Sequence, residues 1–279
     1  MCNANTWLAD LPAGLARQQR LMEAVVSWCQ TDPEVRWLVV GCSMARGNAD
    51  GLSDLDMAMG VIDGQVDAAV GRIVDAVGGF GELVECVQHR IPTVAIAHRR
   101  IFAQFADRTQ IDLVVADASN NGNPNTVVLY DPSGVVVTEF AASDVASSEA
   151  VWTWSCQAWE ELVNVGKYLR RQSPWEAHDR LEAARSHLWQ LWAVAEGIAH
   201  PQYGITSLLD GIEPAAFPIG IEATASGIDL GDVLEAAIRL ASVLTDLQRR
   251  LVETGRYRLA EAFGRFVTRD LKTLRSSAE

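Results

Sequence analysis

The sequence predicts an α/β domain over residues 1–140 followed by an all-helical domain over residues 141–279. Two patterns predict that division. Short apolar runs and strict two-residue alternation are confined to the first half, whereas apolar residues of the second half recur at intervals of three and four. The composition, 49% apolar and 21% charged over 279 residues, is that of a folded globular chain and excludes disordered and fibrous architectures.

In chain order, Leu15, Leu21, Met22, Val25, Val26 and Cys29 mark a helix over 14–30, which Asp32-Pro33 stops. Trp37–Val40 reads as a short buried strand ending at Gly41. Residues 42–53 are small and polar, a loop with room for one helical turn. Over 54–61 the alternation is clean: Leu55, Met57, Met59 and Val61 share one face, and Asp54, Asp56, Ala58 and Gly60 share the other. A helix follows over 64–77, then strands over 82–87, a hairpin over 93–106, a strand over 110–116, and a second hairpin joining 127–130 to 135–138 through Asp131-Pro132-Ser133-Gly134. Helices are then expected over 148–171, over 175–199 behind a Ser173-Pro174-Trp175-Glu176 capping box, around Val233–Leu247 with a stop at Thr254-Gly255, and from about Tyr257 to Leu274. Six of the nine tryptophans fall within 152–192 and read mainly as bundle core, with Trp152 and Trp175 as candidates to line a cleft.

The formal charge is −13, with 9 Lys+Arg against 17 Asp+Glu in residues 1–140 and 14 against 19 in 141–279. Acidity in both halves argues against a nucleic-acid partner, which demands clustered cations. No apolar run approaches the ~18 residues of a membrane span, so no membrane association is expected. The first twenty residues lack a basic segment followed by an apolar run, and the five cysteines are scattered without a CxxC. Both features point to a reducing, cytoplasmic setting.

The segment that carries chemistry is Gly41-Cys42-Ser43-Met44-Ala45-Arg46-Gly47 through Ser53-Asp54-Leu55-Asp56. Small residues after a buried strand let backbone approach a phosphate, and the Ser43 hydroxyl can donate to its oxygens. Two aspartates two apart on a strand leave the same face ~6–7 Å apart. Such carboxylates repel one another unless a cation sits between them, and an all-oxygen ligand set favours magnesium. Asp112, flanked by apolar Ile111 and Leu113, is the candidate third carboxylate if its strand neighbours that of Asp56.

Together, Cys42-Ser43, ten residues, and Asp54-Leu55-Asp56 resemble the signature of the DNA polymerase β-type nucleotidyltransferase superfamily. Ala45-Arg46-Gly47 resembles its small bacterial members. The Val128–Gly134 turn and the helical second half resemble the aminoglycoside and lincosamide nucleotidyltransferases. The resemblance implies a short mixed sheet flanked by helices, two Mg2+ ions held by Asp54, Asp56 and Asp112, and ATP or another NTP as co-substrate. It also implies transfer of a nucleoside monophosphate to a small-molecule hydroxyl with release of pyrophosphate. Gly41, Cys42, Ser43, Arg46 and Ser53 would surround the nucleotide phosphates. The departure is Cys42, where the family usually has glycine; its side chain is expected to narrow the turn.

For the general base, Asp112 leads and Glu85 is second. His89 and His98 read as structural or surface. In the helical half, Trp152, Glu160, Trp175 and Asp179 are candidates for the acceptor site, the acids suiting a cationic antibiotic. Two other readings stand beside this one: an antitoxin-like enzyme that adenylylates a partner protein, and a nucleotide sensor without turnover. The length of the helical half favours a small acceptor.

Overall fold

The protein is described by a computed structural model that covers residues 4–90, 98–123, 125–138, 146–211 and 217–276. The chain divides into two compact units, Met1–Ala141 and Ala142–Glu279.

The first unit contains α1 (Ala4–Ala9), α2 (Ala16–Thr31), β1 (Val35–Val40), α3 (Cys42–Arg46), β2 (Leu55–Val61), α4 (Val66–Val77), β3 (Leu83–Arg90), β4 (Arg99–Phe105), β5 (Gln110–Asp117) and β6 (Val127–Tyr130). Its strands form one mixed six-stranded sheet in the order β3-β4-β5-β2-β1-β6. The β2–β5 pair is parallel and the other pairs are antiparallel. The short mixed sheet flanked by helices is therefore present.

Periodicity explains how the sheet is covered. Leu55, Met57, Met59 and Val61 of β2, with Ile111, Leu113 and Val115 of β5, point to one face, where they pack against Leu21, Met22 and Val25 of α2 and Ala69, Val70 and Ile73 of α4. The alternate residues of β2 and β5 belong to the opposite face, which carries Asp56, Ala58, Gly60 and Asp112. On that same face, Trp37 of β1 pairs with Gly60, and its indole N–H donates to the Ala118 carbonyl at 3.1 Å.

Several boundaries depart from the sequence reading. Helix α1 was not expected. Strand β1 begins at Val35, and β3 runs on to Arg90. In the first expected hairpin, the arm at 93–97 lies outside the described residues, while the other arm is β4 and pairs with β3. The second hairpin does not form. Strand β6 pairs with β1 instead, and Val137 makes an isolated parallel bridge to Gly122. The reason is local: the Asp131 carboxylate accepts the Val136 N–H at 2.8 Å, and the Val137 N–H donates to the Asn121 carbonyl at 3.0 Å, so the chain after the turn is drawn away from β6.

The second unit contains α5 (Ser148–Arg170), α6 (Pro174–Ala195), α7 (Ile205–Gly211), α8 (Leu230–Glu253) and α9 (Glu261–Ser276). Helices α5 and α6 form a hairpin around Trp159, Leu162, Leu181 and Leu188, and Leu240 and Leu244 of α8 complete the core. The capping box at the start of α6 takes another form. The Ser173 hydroxyl bonds the Glu176 carboxylate at 2.5 Å and caps no backbone N–H. Helix α9 starts at Glu261, later than the expected Tyr257, because the Ala260 N–H donates to the buried Ser155 hydroxyl at 3.0 Å. That hydroxyl also accepts from Gln248 Nε2 at 2.7 Å and so ties α5 to α8 and to the entry of α9. Among the described residues, no helix is long and apolar enough to cross a membrane.

Candidate active site

Three carboxylates converge on the sheet face of the first unit opposite α2 and α4. Asp54 immediately precedes β2, Asp56 is its second residue, and β5 lies beside β2 in parallel. The register places Asp112 directly opposite Asp56, one strand spacing of ~4.8 Å away. Desolvation raises the Asp56 carboxyl above the ordinary aspartate value, and the charges of Asp54 and then Asp112 add to the rise. The Cys42 hydrogen bond and the Arg46 charge oppose it. Asp56 therefore feels the charge of both other acids.

The turn between β1 and β2 faces these acids. The Gly41 N–H donates to the Asp56 carbonyl at 2.8 Å, which fixes the turn to the strand bearing the aspartates. Residues 42–46 form the one-turn helix α3, with Ser43 partly buried, Met44 buried beneath, and Arg46 exposed in its last turn. Gly47 ends it in the left-handed region at φ 76°. The Cys42 thiol hydrogen-bonds the Asp56 carboxylate. Desolvation and the Asp56 and Asp54 charges push its pKa up to about 12, so it is a protonated donor at neutral pH and no nucleophile.

Cys42 also occupies the left-handed region at φ 50°. A side chain at this position thus has a backbone consequence. A non-glycine residue there costs roughly 1–2 kcal/mol, and glycine gives back part of that through chain entropy. Cys42→Gly is therefore expected to raise stability by about 0.5–1 kcal/mol in urea denaturation. Lower stability would show that the thiol–Asp56 hydrogen bond outweighs the backbone strain.

One residue of the site had no signal in the sequence reading. Arg100 of β4 points to the same face as Asp112 and grips its carboxylate with two nitrogens, Nε to Oδ1 at 2.6 Å and Nη2 to Oδ2. The Asp112 hydrogen bond, with lesser contributions from Asp56 and Asp54, raises the guanidinium's pKa further. Finding it from sequence requires the pairing of Phe102 with Asp112, because Arg100 is the diagonal neighbour in that register.

The remaining candidates lie apart from this cluster. The Ser53 hydroxyl is engaged in its own turn, accepting the Asp50 N–H at 2.9 Å. Glu85 is exposed on the edge strand β3, two strands beyond Asp112, and its carboxylate accepts the Cys86 N–H at 3.0 Å. His98 is buried against Asn120 at 2.7 Å, a structural role as expected. In the second unit, Trp152 packs on the core beneath the Arg258 guanidinium at 4.4 Å. Glu160 is exposed on α5, while Trp175, 76% exposed, and Asp179 share an outer face of α6. Trp152 and Trp175 sit at opposite ends of the α5–α6 hairpin, separated along its axis by ~27 Å at 1.5 Å per residue. The helical unit does not bring these four residues into one pocket.

The chemistry of the acidic cluster suits a hard divalent cation in part. Asp54 and Asp56 offer carboxylate oxygens whose repulsion such a cation would relieve. Asp112 joins them only by parting from Arg100, and among the described residues no three His, Cys, Asp or Glu side chains are gathered as a ready metal cage. Arg100→Ala is accordingly expected to tighten Mn2+ binding on the order of tenfold in calorimetry, about 1.4 kcal/mol. An unchanged Kd would exclude Asp112 from cation binding.

No protein-family model matches the chain, and no curated protein matches it by sequence. Among solved structures it is similar to an aminoglycoside 6-adenyltransferase from Bacillus subtilis, with 14% identity over 92% of this chain and 98% of the other and a TM-score of 0.43. It is also similar to a nucleotidyltransferase-like protein from Exiguobacterium sibiricum, with 14% identity over 91% of this chain and 88% of the other and a TM-score of 0.36.

Proposed function

We propose that the protein is a nucleotidyltransferase that moves a nucleoside monophosphate, AMP from ATP, to a hydroxyl of a small molecule. The observation that carries this reading is the placement of Asp54, Asp56 and Asp112 on one sheet face beside the Gly41–Arg46 turn, with Asp56 and Asp112 in direct register. In this reading Ser43 donates to the terminal phosphate oxygens of the nucleotide, and Arg46 supplies positive charge at the same turn. Asp54 and Asp56 hold magnesium, which when bound neutralises the triphosphate and stabilises the departing pyrophosphate. Asp112, released from Arg100, accepts the proton of the acceptor hydroxyl. Its position beside Asp56 favours it over Glu85, two strands away. The protonated Cys42 thiol holds the Asp56 carboxylate in place.

An aminoglycoside- or lincosamide-type antibiotic is the acceptor class proposed, on the motif resemblance and on the acidity of residues 141–210, which hold nine Asp+Glu against five Lys+Arg. The unpaired thiols Cys29, Cys86 and Cys156 suit a cytoplasmic enzyme. A second reading, a nucleotide-binding module without turnover, is favoured by the Arg100–Asp112 pair, which occupies the third carboxylate.

The test is pyrophosphate release from each of the four NTPs with magnesium, against a panel of aminoglycosides and lincosamides. Acceptor-dependent release that is lost in Asp54→Ala supports transfer. Magnesium-dependent NTP binding without release under any acceptor supports the binding module and overturns the enzyme reading.

A further inference from the structure

The helical unit contains a pocket of its own, remote in chemistry from the acidic cluster. It lies between α8 and α9, has a volume of about 750 Å³, and has Trp159 of α5 in its wall. That volume falls within the range of small-molecule sites.

Its polar groups are incomplete. Trp159 is fully buried, yet its indole N–H has no hydrogen-bond partner, and the buried hydroxyl of Thr268, which lines the same pocket, also has none. Buried donors are nearly always satisfied, so two orphans in one pocket wall call for an acceptor from outside the protein. Gly264 keeps the indole edge uncrowded. A Cβ there would stand 2.7 Å from Trp159 Cζ2 and 3.2 Å from Nε1, which would crowd the donor.

The charge at the mouth selects the sign of the ligand. Arg249, Arg265, Arg269 and Lys272 line the pocket against Glu253 and Glu261. Arg265 pairs with Glu261 at 3.6 Å and Arg249 with Asp246 at 3.3 Å. Among the described residues, Arg269 and Lys272 make no ion pair, and they stand one helical turn apart on the same face of α9. They form a cationic pair in the same pocket as the two unsatisfied donors.

We propose that this pocket binds a small organic anion: an apolar or aromatic body bearing a carboxylate, sulfonate or phosphate. Arg269 and Lys272 engage the anionic group, and Trp159 Nε1–H and the Thr268 hydroxyl donate to an oxygen of the ligand. The site rejects polycationic molecules, so it is distinct from the acceptor site proposed for a cationic antibiotic, and it stands whether or not the first unit transfers nucleotides.

The test compares two probes with the same fluorophore on the full chain: dansylglycine, an anion, and dansylamide, which is neutral. Dansylglycine is expected to bind one to one and at least tenfold more tightly than dansylamide. The Arg269→Glu/Lys272→Glu double variant, altered at exposed positions, is expected to lose at least tenfold in affinity for dansylglycine and to leave dansylamide within about twofold. The Trp159 indole 1H–15N resonance, identified by its disappearance in Trp159→Phe, is expected to move downfield on saturation with dansylglycine. Should Trp159→Phe fail to fold, Thr245→Trp fills the pocket from an exposed position of α8 and is expected to abolish binding. Equal affinity for the two probes, an unaffected double variant, an unmoved indole resonance, or no binding of either probe overturns the proposal.

Discussion

Asp56→Asn is expected to lower acceptor-dependent pyrophosphate release by about 10³-fold, the scale on which a single group stabilising transition-state charge acts. The same substitution is expected to make the metal-free protein more stable at pH 7. The two effects share one cause. Desolvation, then Asp54, then Asp112, raise the Asp56 carboxyl above its unfolded value near 3.9. Between those two values the folded chain binds more protons than the unfolded chain, so stability falls as pH rises through that window. The penalty is complete above the folded value and absent below the unfolded one. Asparagine keeps the shape and an oxygen for the Cys42 thiol while removing the charge. Urea denaturation should therefore show a gain at pH 7 that vanishes below about pH 4. Turnover within a few-fold of the parent would remove Asp56 from the active site. A neutral-pH loss of stability would mean that the crowded charge is not what the local structure opposes.

The acidic cluster was legible because its logic is local. Alternation over 54–61 assigned faces within one strand, and apolar Ile111 and Leu113 did the same for Asp112. Only the adjacency of β2 and β5 had to be supplied by the fold, and they proved to be neighbours in parallel. Arg100 was not legible, since its bond to Asp112 depends on the register of β4 against β5, which no periodicity encodes. The left-handed backbone at Cys42 was hidden for a related reason. The residue type suggested a narrowed turn, but the φ of 50° belongs to a backbone held between the Gly41–Asp56 hydrogen bond and α3, which residue type does not encode. The second hairpin failed because one side chain, Asp131, took the Val136 N–H and redirected the chain. In the helical unit, the three-and-four spacing located each major helix, whereas the start of α9 depended on Ser155, more than one hundred residues away in sequence. The acceptor candidates Trp152 and Trp175 were chosen by residue type alone, which carries no information on which end of a helix hairpin a residue occupies.

Gly60→Ala is expected to destabilise the first unit by about 3 kcal/mol, at the upper end for overpacking a well-filled site. An added Cβ would stand 2.1 Å from both Cε2 and Nε1 of Trp37, far inside contact distance. The indole cannot retreat freely: Trp37 is 1% exposed, and its N–H is committed to the Ala118 carbonyl at 3.1 Å. Backbone conformation is not the constraint, because Gly60 lies in β2 with no positive φ. Without the indole, alanine should even be favoured by about 0.4–1 kcal/mol through the unfolded chain. The steric account thus makes a stricter claim than simple loss of stability. In the Trp37→Leu background, Gly60→Ala should cost nothing or stabilise slightly, giving a coupling energy of about 3–4 kcal/mol in a double-mutant cycle. Additive effects would place the requirement for glycine in the strand itself. The pair also bears on the proposed active site, since Trp37 and Gly60 occupy the same sheet face as Asp56, and β1 leads directly into the Gly41–Arg46 turn. A lateral shift of β1 away from β2 would carry Ser43 away from the aspartates. The single variant is therefore expected to lose NTP affinity along with stability, whereas in the Trp37→Leu background Gly60→Ala is expected to add neither loss.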